Sequence, residues 1–226
     1  MILPLIFLVL FTSIFGNETL DNGAKVATLY VPGILTLAIA SATTVNLAIT
    51  MTARRERGIL KRVRGTPIPP WIFIVSQMLA GAVIAIVMTV IISIIGRVAY
   101  GVSLQFETFP SLVLSLIVGA MSFAALGLAI TTLISSEDAA PAVTNAIMLP
   151  LYFISGVFVP SSQVPDWVQT IGDLFPVSHL NQALQESYNP FADGPAWPWN
   201  HWLVILGWGA FGAIVTLKTF RWTPNR

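Results

Sequence analysis

The sequence predicts an all-α membrane protein with about six transmembrane helices. Of the 226 residues, 55% are hydrophobic and only 9% are charged, and the mean hydropathy is +0.80. This composition leaves too little polar surface to cover a soluble protein of that size. In addition, apolar runs of about twenty residues recur between short polar connections, as expected for helices that cross a bilayer.

Six apolar segments are the predicted spans, and together they form a single transmembrane domain over residues 1–226. They cover residues 2–15, 29–51, 70–95, 110–134, 139–159 and 202–220. At about 1.5 Å per residue, the first would cross only ~20 Å of a hydrocarbon core about 30 Å thick, whereas the other five are long enough. We expect either that the first helix is truncated at its start or that it thins the bilayer locally.

Positive charge is distributed unequally between the two ends of these spans. Nine of the eleven Lys and Arg residues fall on the side of the connection 53–69, against Lys25 and Arg97 on the other. Because Lys and Arg near span ends are retained in the cytoplasm, this connection and both termini are predicted to be cytoplasmic. The basic residues stand beside apolar runs rather than on a polar face, so no nucleic-acid partner is expected.

Several classes of function are excluded by missing residues. The predicted spans have no ionisable residue away from their ends, as a proton pump, an ion-coupled transporter or a voltage sensor would require. The chain has no cysteine, P-loop, GxSxG or HExxH motif, and His179 and His201 are not at metal-ligand spacing. No catalytic, cofactor or metal site is therefore predicted, and energy for uphill transport must come from another chain.

The connection 53–69 holds the only dense block of charge, in the sequence RRERGILKRVRGTPIPP from Arg54. Ile59, Leu60 and Val63 recur at helical spacing, which predicts a short amphipathic helix that ends at the following glycine and prolines. Such a segment can anchor on anionic lipid, at about 1 kcal/mol per basic residue, or dock on a partner. The embedded Glu56, the apolar face and the rigid exit favour docking.

Three segments of the chain resemble permeases of the type-2 ABC exporter family, and especially its daunorubicin-resistance branch. They are the basic connection, LPLYFISGVFVP at residues 149–160 and VPDWVQTIGDLFPVSHLNQAL at residues 164–184. The resemblance implies that the connection is a coupling helix that docks on a separate ATPase subunit. The implied contact residues are Arg54, Glu56, Gly58, Leu60, Lys61 and Arg64. Family members usually carry an interfacial helix before the first span, and this sequence begins without it.

Residues 160–186 read as two short helices on the outer side. The spacing of Trp167 and its apolar neighbours predicts one amphipathic helix with Pro165 in its first position, and Ser178 is predicted to cap a second. The resemblance implies that the pair dips into the outer leaflet and caps the exit, which makes Trp167, Phe175, Pro176 and His179 gate candidates. The alternative is an interfacial pair that only seals the bundle. His179 is expected to hydrogen-bond to the backbone.

Uncharged polar residues remain inside the predicted spans. Thr36, Thr43 and Thr50 recur every seven residues beside Asn46, so they are predicted to share a helix face, and Asn145 lies between two prolines of the fifth span. These residues either line a substrate path or hold helices together, as hydroxyl side chains commonly do.

The function predicted from these features is that of a membrane-spanning permease subunit of an ATP-driven exporter. The uncharged interior suits an amphipathic or hydrophobic cargo, drug-like or lipid-like, moved out across a bacterial plasma membrane. The resemblance implies a second permease subunit, in a homodimer or heterodimer, and a separate ATPase subunit. ATP and Mg²⁺ are expected to bind to that ATPase and not to this chain. The alternative is a channel or an assembly scaffold without ATP coupling.

Overall fold

The computed structural model describes residues 2–15, 25–67, 69–102, 104, 106–159, 164–189, 191 and 197–220. These residues form ten α-helices and one π-helix and contain no β-strand. The helices are α1 (Ile2–Phe15), α2 (Ala27–Ala40), the π-helix (Ser41–Val45), α3 (Asn46–Glu56), α4 (Ile59–Arg64), α5 (Pro70–Tyr100), α6 (Phe109–Ile130), α7 (Ala140–Ile154), α8 (Asp166–Gly172), α9 (Pro176–Ser187) and α10 (Trp199–Thr219).

Four helical segments are long and apolar enough to cross a membrane, which confirms the predicted all-α membrane protein. They are Ala27–Glu56, Trp71–Tyr100, Phe109–Ile130 and Trp199–Thr219. The first and fifth predicted spans form shorter apolar helices, Leu3–Phe15 and Ala140–Ile154. The count of six crossings therefore stays a prediction, since these two helices fall short of the usual spanning length.

The centre of the bundle is α2, which is apolar on all sides. Val31, Ile34, Leu35 and Ile39 are fully buried there. The helix packs against α1, α5, α6 and α9, so it has no lipid-facing side. By contrast, the long helix α5 carries many exposed apolar side chains, as expected for a helix at the perimeter that contacts lipid.

Small residues bring α6 and α10 into close contact. A methyl group added at Gly209 would lie 2.5 Å from Ser122 Oγ, and one at Gly212 would lie 2.9 Å from the backbone nitrogen of Leu126. Trp202 Nε1 also donates a hydrogen bond of 2.9 Å to Ser115 Oγ. Close backbone approach is the usual way in which membrane helices gain packing energy, so α6 and α10 form one tightly packed unit.

A π-helix interrupts the second span at Ser41–Val45 and alters its helical register. One such turn adds a residue to the helical repeat, so positions seven residues apart on either side no longer share a face. Thr36 and Thr43 are fully buried, whereas Thr50 is half-buried and Asn46 is exposed. The prediction that these residues form one face is therefore wrong.

Candidate functional site

The basic connection folds as a helix end, a tight turn and a short helix. The helix α3 ends at Glu56, Gly58 adopts a left-handed conformation with φ +71°, and α4 follows as Ile59–Arg64. Glycine adopts this conformation without a Cβ penalty, which explains its place between the two helices. The predicted short helix and its end at Gly65 are both present, but the basic block is divided between α3, the turn and α4.

Leu60 differs from its predicted role as a contact to a partner. Its side chain is fully buried in a cluster with Leu47, Met51, Ala124 and Leu128. The apolar side of α4 thus packs into its own bundle, because burial against these residues removes Leu60 from water. The prediction that Leu60 contacts the ATPase is therefore wrong, and Leu60 instead holds α4 against α3 and α6.

Arg55 is a functional residue for which no role was predicted. It is 3% exposed, and its guanidinium donates to the carbonyl oxygens of Thr131 at 3.0 Å and Ile134 at 2.6 Å. These carbonyls follow the last turn of α6, where helix carbonyls lack intrahelical partners and a cation is favourable. The signal was present in the sequence, because Arg55 follows the buried residues Leu47 and Met51 at intervals of four.

Two more arginines tie the connection to neighbouring elements. Arg54 donates to Gln77 Oε1 at 2.6 Å and lies 5.9 Å from the centre of the Phe73 ring, both on α5. Arg57 forms an ion pair with Glu137, between α6 and α7, in which its Nε lies 3.2 Å from Oε2. This hydrogen bond raises the pKa of Arg57 above its usual value. The connection is thus linked separately to α5, to the end of α6 and to the connection before α7.

The other predicted contact residues face outward. Glu56, Lys61 and Arg64 are exposed, and the backbone at Gly58 is half-buried. Arg62 is exposed beside them, so the solvent side of α4 is predominantly cationic, with one carboxylate at its edge. Such a surface can bind an acidic partner by complementary charge.

The outer segment contains α8 and α9, while residues 160–163 lie outside the described residues. Trp167 and Leu174 are 67% and 64% exposed, so the apolar side of this segment faces outward, as an interfacial or re-entrant helix requires. Gly172 allows close packing on α7, because an added methyl group would clash with the Ile154 carbonyl oxygen. Pro176 is the first residue of α9, and Phe175 precedes it.

Two predicted details of this segment were wrong. Pro165 lies before α8 and not in its first turn, since Asp166 begins the helix. Ser178 lies within α9 and donates a hydrogen bond of 2.8 Å to Asp173 Oδ1, so it does not cap the helix. The start of α9 is instead set by Pro176, whose missing N–H and fixed φ suit the first helical position.

His179 and His201 are adjacent although they are far apart in the sequence. Their Nδ1 atoms are 2.8 Å apart, and His179 Nε2 donates to the Asp173 carbonyl oxygen at 2.9 Å, the backbone contact that was predicted. His201 Nε2 lies 3.6 Å from Glu186 Oε1. Among the described residues no group of three potential ligands could hold a metal ion. The pair therefore joins α9 to α10 by a hydrogen bond, and one ring must remain an acceptor.

Tyr188 fastens the far end of α9. Its hydroxyl lies 2.6 Å from Ser93 Oγ on α5. Burial raises the pKa of Tyr188 to about 12, so the hydroxyl stays protonated at physiological pH. Together with the histidine pair, this contact holds α9 against two spans.

The residues predicted for a substrate path fall into a buried and an exposed group, with the half-buried Thr50 between them. Thr36 and Thr43 are buried and donate to the carbonyl oxygens of Pro32 at 3.0 Å and Ile39 at 2.7 Å, so they belong to the interior of the subunit. Asn46 and Asn145 are exposed, on α3 and α7, which pack against each other. Exposed amides inside apolar helices are costly in lipid and suit contact with a partner or a polar cargo.

The helix bundle, the structured basic connection and the short outer helix pair together define a multi-pass membrane subunit. The chain belongs to the ABC-2 type transporter family, which matches residues 1–189. It is 31% identical over 234 residues to the daunorubicin resistance ABC transporter permease protein DrrB1 of Streptomyces coeruleorubidus, covering 97% of this chain and 77% of that protein. The predicted family is thereby confirmed, and the chain is a membrane permease subunit of an ABC transporter.

Two further relatives are similar over smaller shares of this chain. The putative transport permease YvfS of Bacillus subtilis is 26% identical over 209 residues, covering 92% of this chain and 82% of that protein. The probable multidrug ABC transporter permease YbhR of Escherichia coli is 22% identical over 161 residues, covering 70% of this chain and 43% of that protein. All of these relatives are bacterial permeases by their names.

Proposed function

We propose that this chain is one half of an ATP-driven exporter that moves an amphipathic or hydrophobic compound out across the plasma membrane. The single observation that carries the proposal is the fixed structure of the basic connection. Its apolar side is fixed inside the bundle by Leu60, and its charged side is exposed. A segment that only attracted anionic lipid would not need this fixed geometry.

The partner is a separate ATPase subunit, which binds ATP and Mg²⁺. Glu56, Lys61 and Arg64 are the proposed contacts, with Arg62 beside them, and Gly58 shapes the turn that presents them. Arg54 supports this surface through its hydrogen bond to α5, and Leu60 supports it through burial in the bundle. Both residues therefore affect docking by fixing the position of the surface. In this arrangement both termini of the chain are cytoplasmic.

The contacts of Arg55 and Arg57 provide a route from the docking surface to the spans. Arg55 binds the carbonyl end of α6, and Arg57 pairs with Glu137 in the connection to α7. A displacement of α4 by the ATPase would therefore act on α6 and α7 together, since a buried guanidinium bound to two carbonyls is a stiff link.

The cargo path is proposed along the exposed side of α3 and α7, where it is completed by a second permease subunit, either identical or related. Asn46, Thr50 and Asn145 would supply its uncharged polar groups. A path without charged side chains suits a cargo that partitions into the inner leaflet. Among the described residues of α3 and α7, the only charged ones are Arg54, Arg55 and Glu56 at the cytoplasmic end.

The outer helix pair is proposed as the exit gate. Trp167 and Phe175 lie on its outward and inward sides, Pro176 sets the start of α9, and His179 bonds α9 to α10. Opening of the path would then require α9 to shift against α10.

The proposal is tested by purifying the tagged chain from native membranes in mild detergent and measuring co-purifying ATP hydrolysis. Lys61→Glu with Arg64→Glu should remove the ATPase, because these exposed changes reverse the surface charge without altering the core. Arg97→Glu is the matched control, since this residue is exposed at the other end of α5. An ATPase that stays bound to the double variant would refute the docking surface. No nucleotide-binding partner with the wild type would favour a channel or a scaffold.

A further inference from the structure

A crevice of about 360 Å³ lies between α6, α7 and α10, and its lining includes neither a residue of the basic connection nor Asn46 or Asn145. Nearly all of its lining is apolar, and it includes Leu126, Ala129, Leu133, Ile147, Leu151 and Val215. Leu133 and Phe211, which border it, are 70% and 56% exposed. The crevice is therefore open on the side of the protein that contacts lipid.

The helices on the two sides of the crevice have different supports. The helix α10 packs against α6 and α9, whereas α7 packs against the π-helix, α3, α8 and α9. The side chains that line an apolar space between α7 and α10 lose dispersion contacts if the space stays empty. A flexible hydrocarbon chain can fill it from the membrane without any change in the helices.

The crevice has unlike ends. Its outer end is bounded by Phe175 and Trp208, whose rings stack with centres 5.9 Å apart, and Trp208 Nε1 donates to the Leu174 carbonyl oxygen at 3.0 Å. Its inner end reaches Leu133, next to the carbonyls that Arg55 binds. Lys218 follows Val215 by three residues on α10, so it lies one turn further toward the cytoplasm on the same side, and it is exposed.

We propose that this crevice is a site for one anionic phospholipid of the inner leaflet, with an acyl chain in the crevice and the phosphate at Lys218. The occupant follows from the charge and shape of the site. An apolar slot that is closed toward the outer leaflet and has a cation at its inner end fits one alkyl chain of an amphiphile whose headgroup is negative. The site does not depend on ATP coupling or on the identity of the cargo.

The proposal is tested by native mass spectrometry of the full chain in mild detergent with equal amounts of phosphatidylglycerol and phosphatidylcholine. We expect one retained phosphatidylglycerol per chain in the wild type. Ala129→Phe, and separately Val215→Trp, should reduce its retention several-fold, because each fills the crevice. Leu217→Phe is the matched control, since Leu217 is 85% exposed and does not line the crevice. Retention unchanged by both filling variants would overturn the site.

The headgroup contact is tested separately by Lys218→Ala, an exposed change that leaves the packing intact. The preference for phosphatidylglycerol over phosphatidylcholine should fall about fivefold, the effect of one basic residue near a membrane surface. Arg97→Ala should leave it unchanged. An unchanged preference in Lys218→Ala would overturn the proposed lipid class.

A second copy of the chain is the competing occupant. Because the sequence has no cysteine, Val215→Cys places a single thiol in the crevice without background. Efficient cross-linking of two chains through this thiol in native membranes would show a subunit interface and overturn the lipid site. Failure to cross-link, together with loss of phosphatidylglycerol in the filling variants, would support the lipid site.

Discussion

Arg55→Met is the change that most directly tests how the basic connection is fixed. The substitution keeps a long side chain on α3 but removes two hydrogen bonds from a guanidinium to carbonyl oxygens, at 3.0 and 2.6 Å. Each charge-assisted bond contributes roughly 1.5–3 kcal/mol. Part of this sum is offset, because methionine also removes the cost of burying a charge. We expect a net loss of about 3 kcal/mol in the free energy of unfolding, as for other broken buried charge contacts.

The measurement is unfolding of the full chain in mixed micelles by increasing denaturing detergent, followed by circular dichroism. A loss of that size raises the equilibrium constant for unfolding roughly a hundredfold at a given detergent concentration. Arg55→Lys should also destabilise, because a compact ammonium cannot address both carbonyls as the planar guanidinium does. Arg62→Met is the matched control, since Arg62 is exposed on α4. The reasoning is refuted if Arg55→Met is as stable as Arg62→Met.

The remaining predictions concern packing, cargo and gate. Gly209→Leu should destabilise the chain in the same unfolding assay, because even its Cβ would lie 2.5 Å from Ser122 Oγ. Gly207→Leu on the same helix is the control, since a Cβ there meets nothing within 4 Å and the variant should be as stable as the wild type. Equal stability of the two variants would contradict the close contact. Asn46→Leu should lower ATP-driven uptake of cargo into inside-out vesicles with ATPase binding intact, and normal uptake would remove Asn46 from the path. Trp167→Ala should reduce export more than ATPase co-purification. Loss of the ATPase complex instead would show that the outer helix pair is not at the exit.

The fold class could be predicted from the sequence because hydrophobicity and segment length suffice for it. The positions of the apolar helices follow the predicted spans closely, and α4 begins at Ile59 and ends at Arg64, within the predicted connection. Composition cannot show whether the short helices α1 and α7 cross the membrane, since their length is below the usual span.

The roles of single residues in the basic connection were harder to predict. An apolar face beside basic residues has the same pattern whether it packs on a partner or into its own bundle, and the burial of Leu60 decides between the two. Arg55 could have been found, since it continues the interval of four from Leu47 and Met51. A run of arginines, however, gives no sign of which member turns inward until the helix phase is followed.

Two features had no local signal. The π-helix at Ser41–Val45 depends on packing against α6, where Thr44 Oγ1 donates to the Phe123 carbonyl oxygen at 2.8 Å. The contact between His179 and His201 joins residues that only the path of the chain brings together. Both arise from tertiary contacts, which override the periodicity of a single segment.

The packing also indicates which helices can move relative to one another. Glycines fix α6 closely to α10, so these two must move as a unit if they move at all. The helix α7 contains Pro150 in its interior and packs mainly on α3, the π-helix and the outer segment. Because Arg57 pairs with Glu137 before α7 and Arg55 binds the end of α6, a displacement of the basic connection would act on α7 and on the α6–α10 unit through different contacts. We therefore expect the crevice between α7 and α10 to change width during transport, and a bound acyl chain there would resist or follow that change.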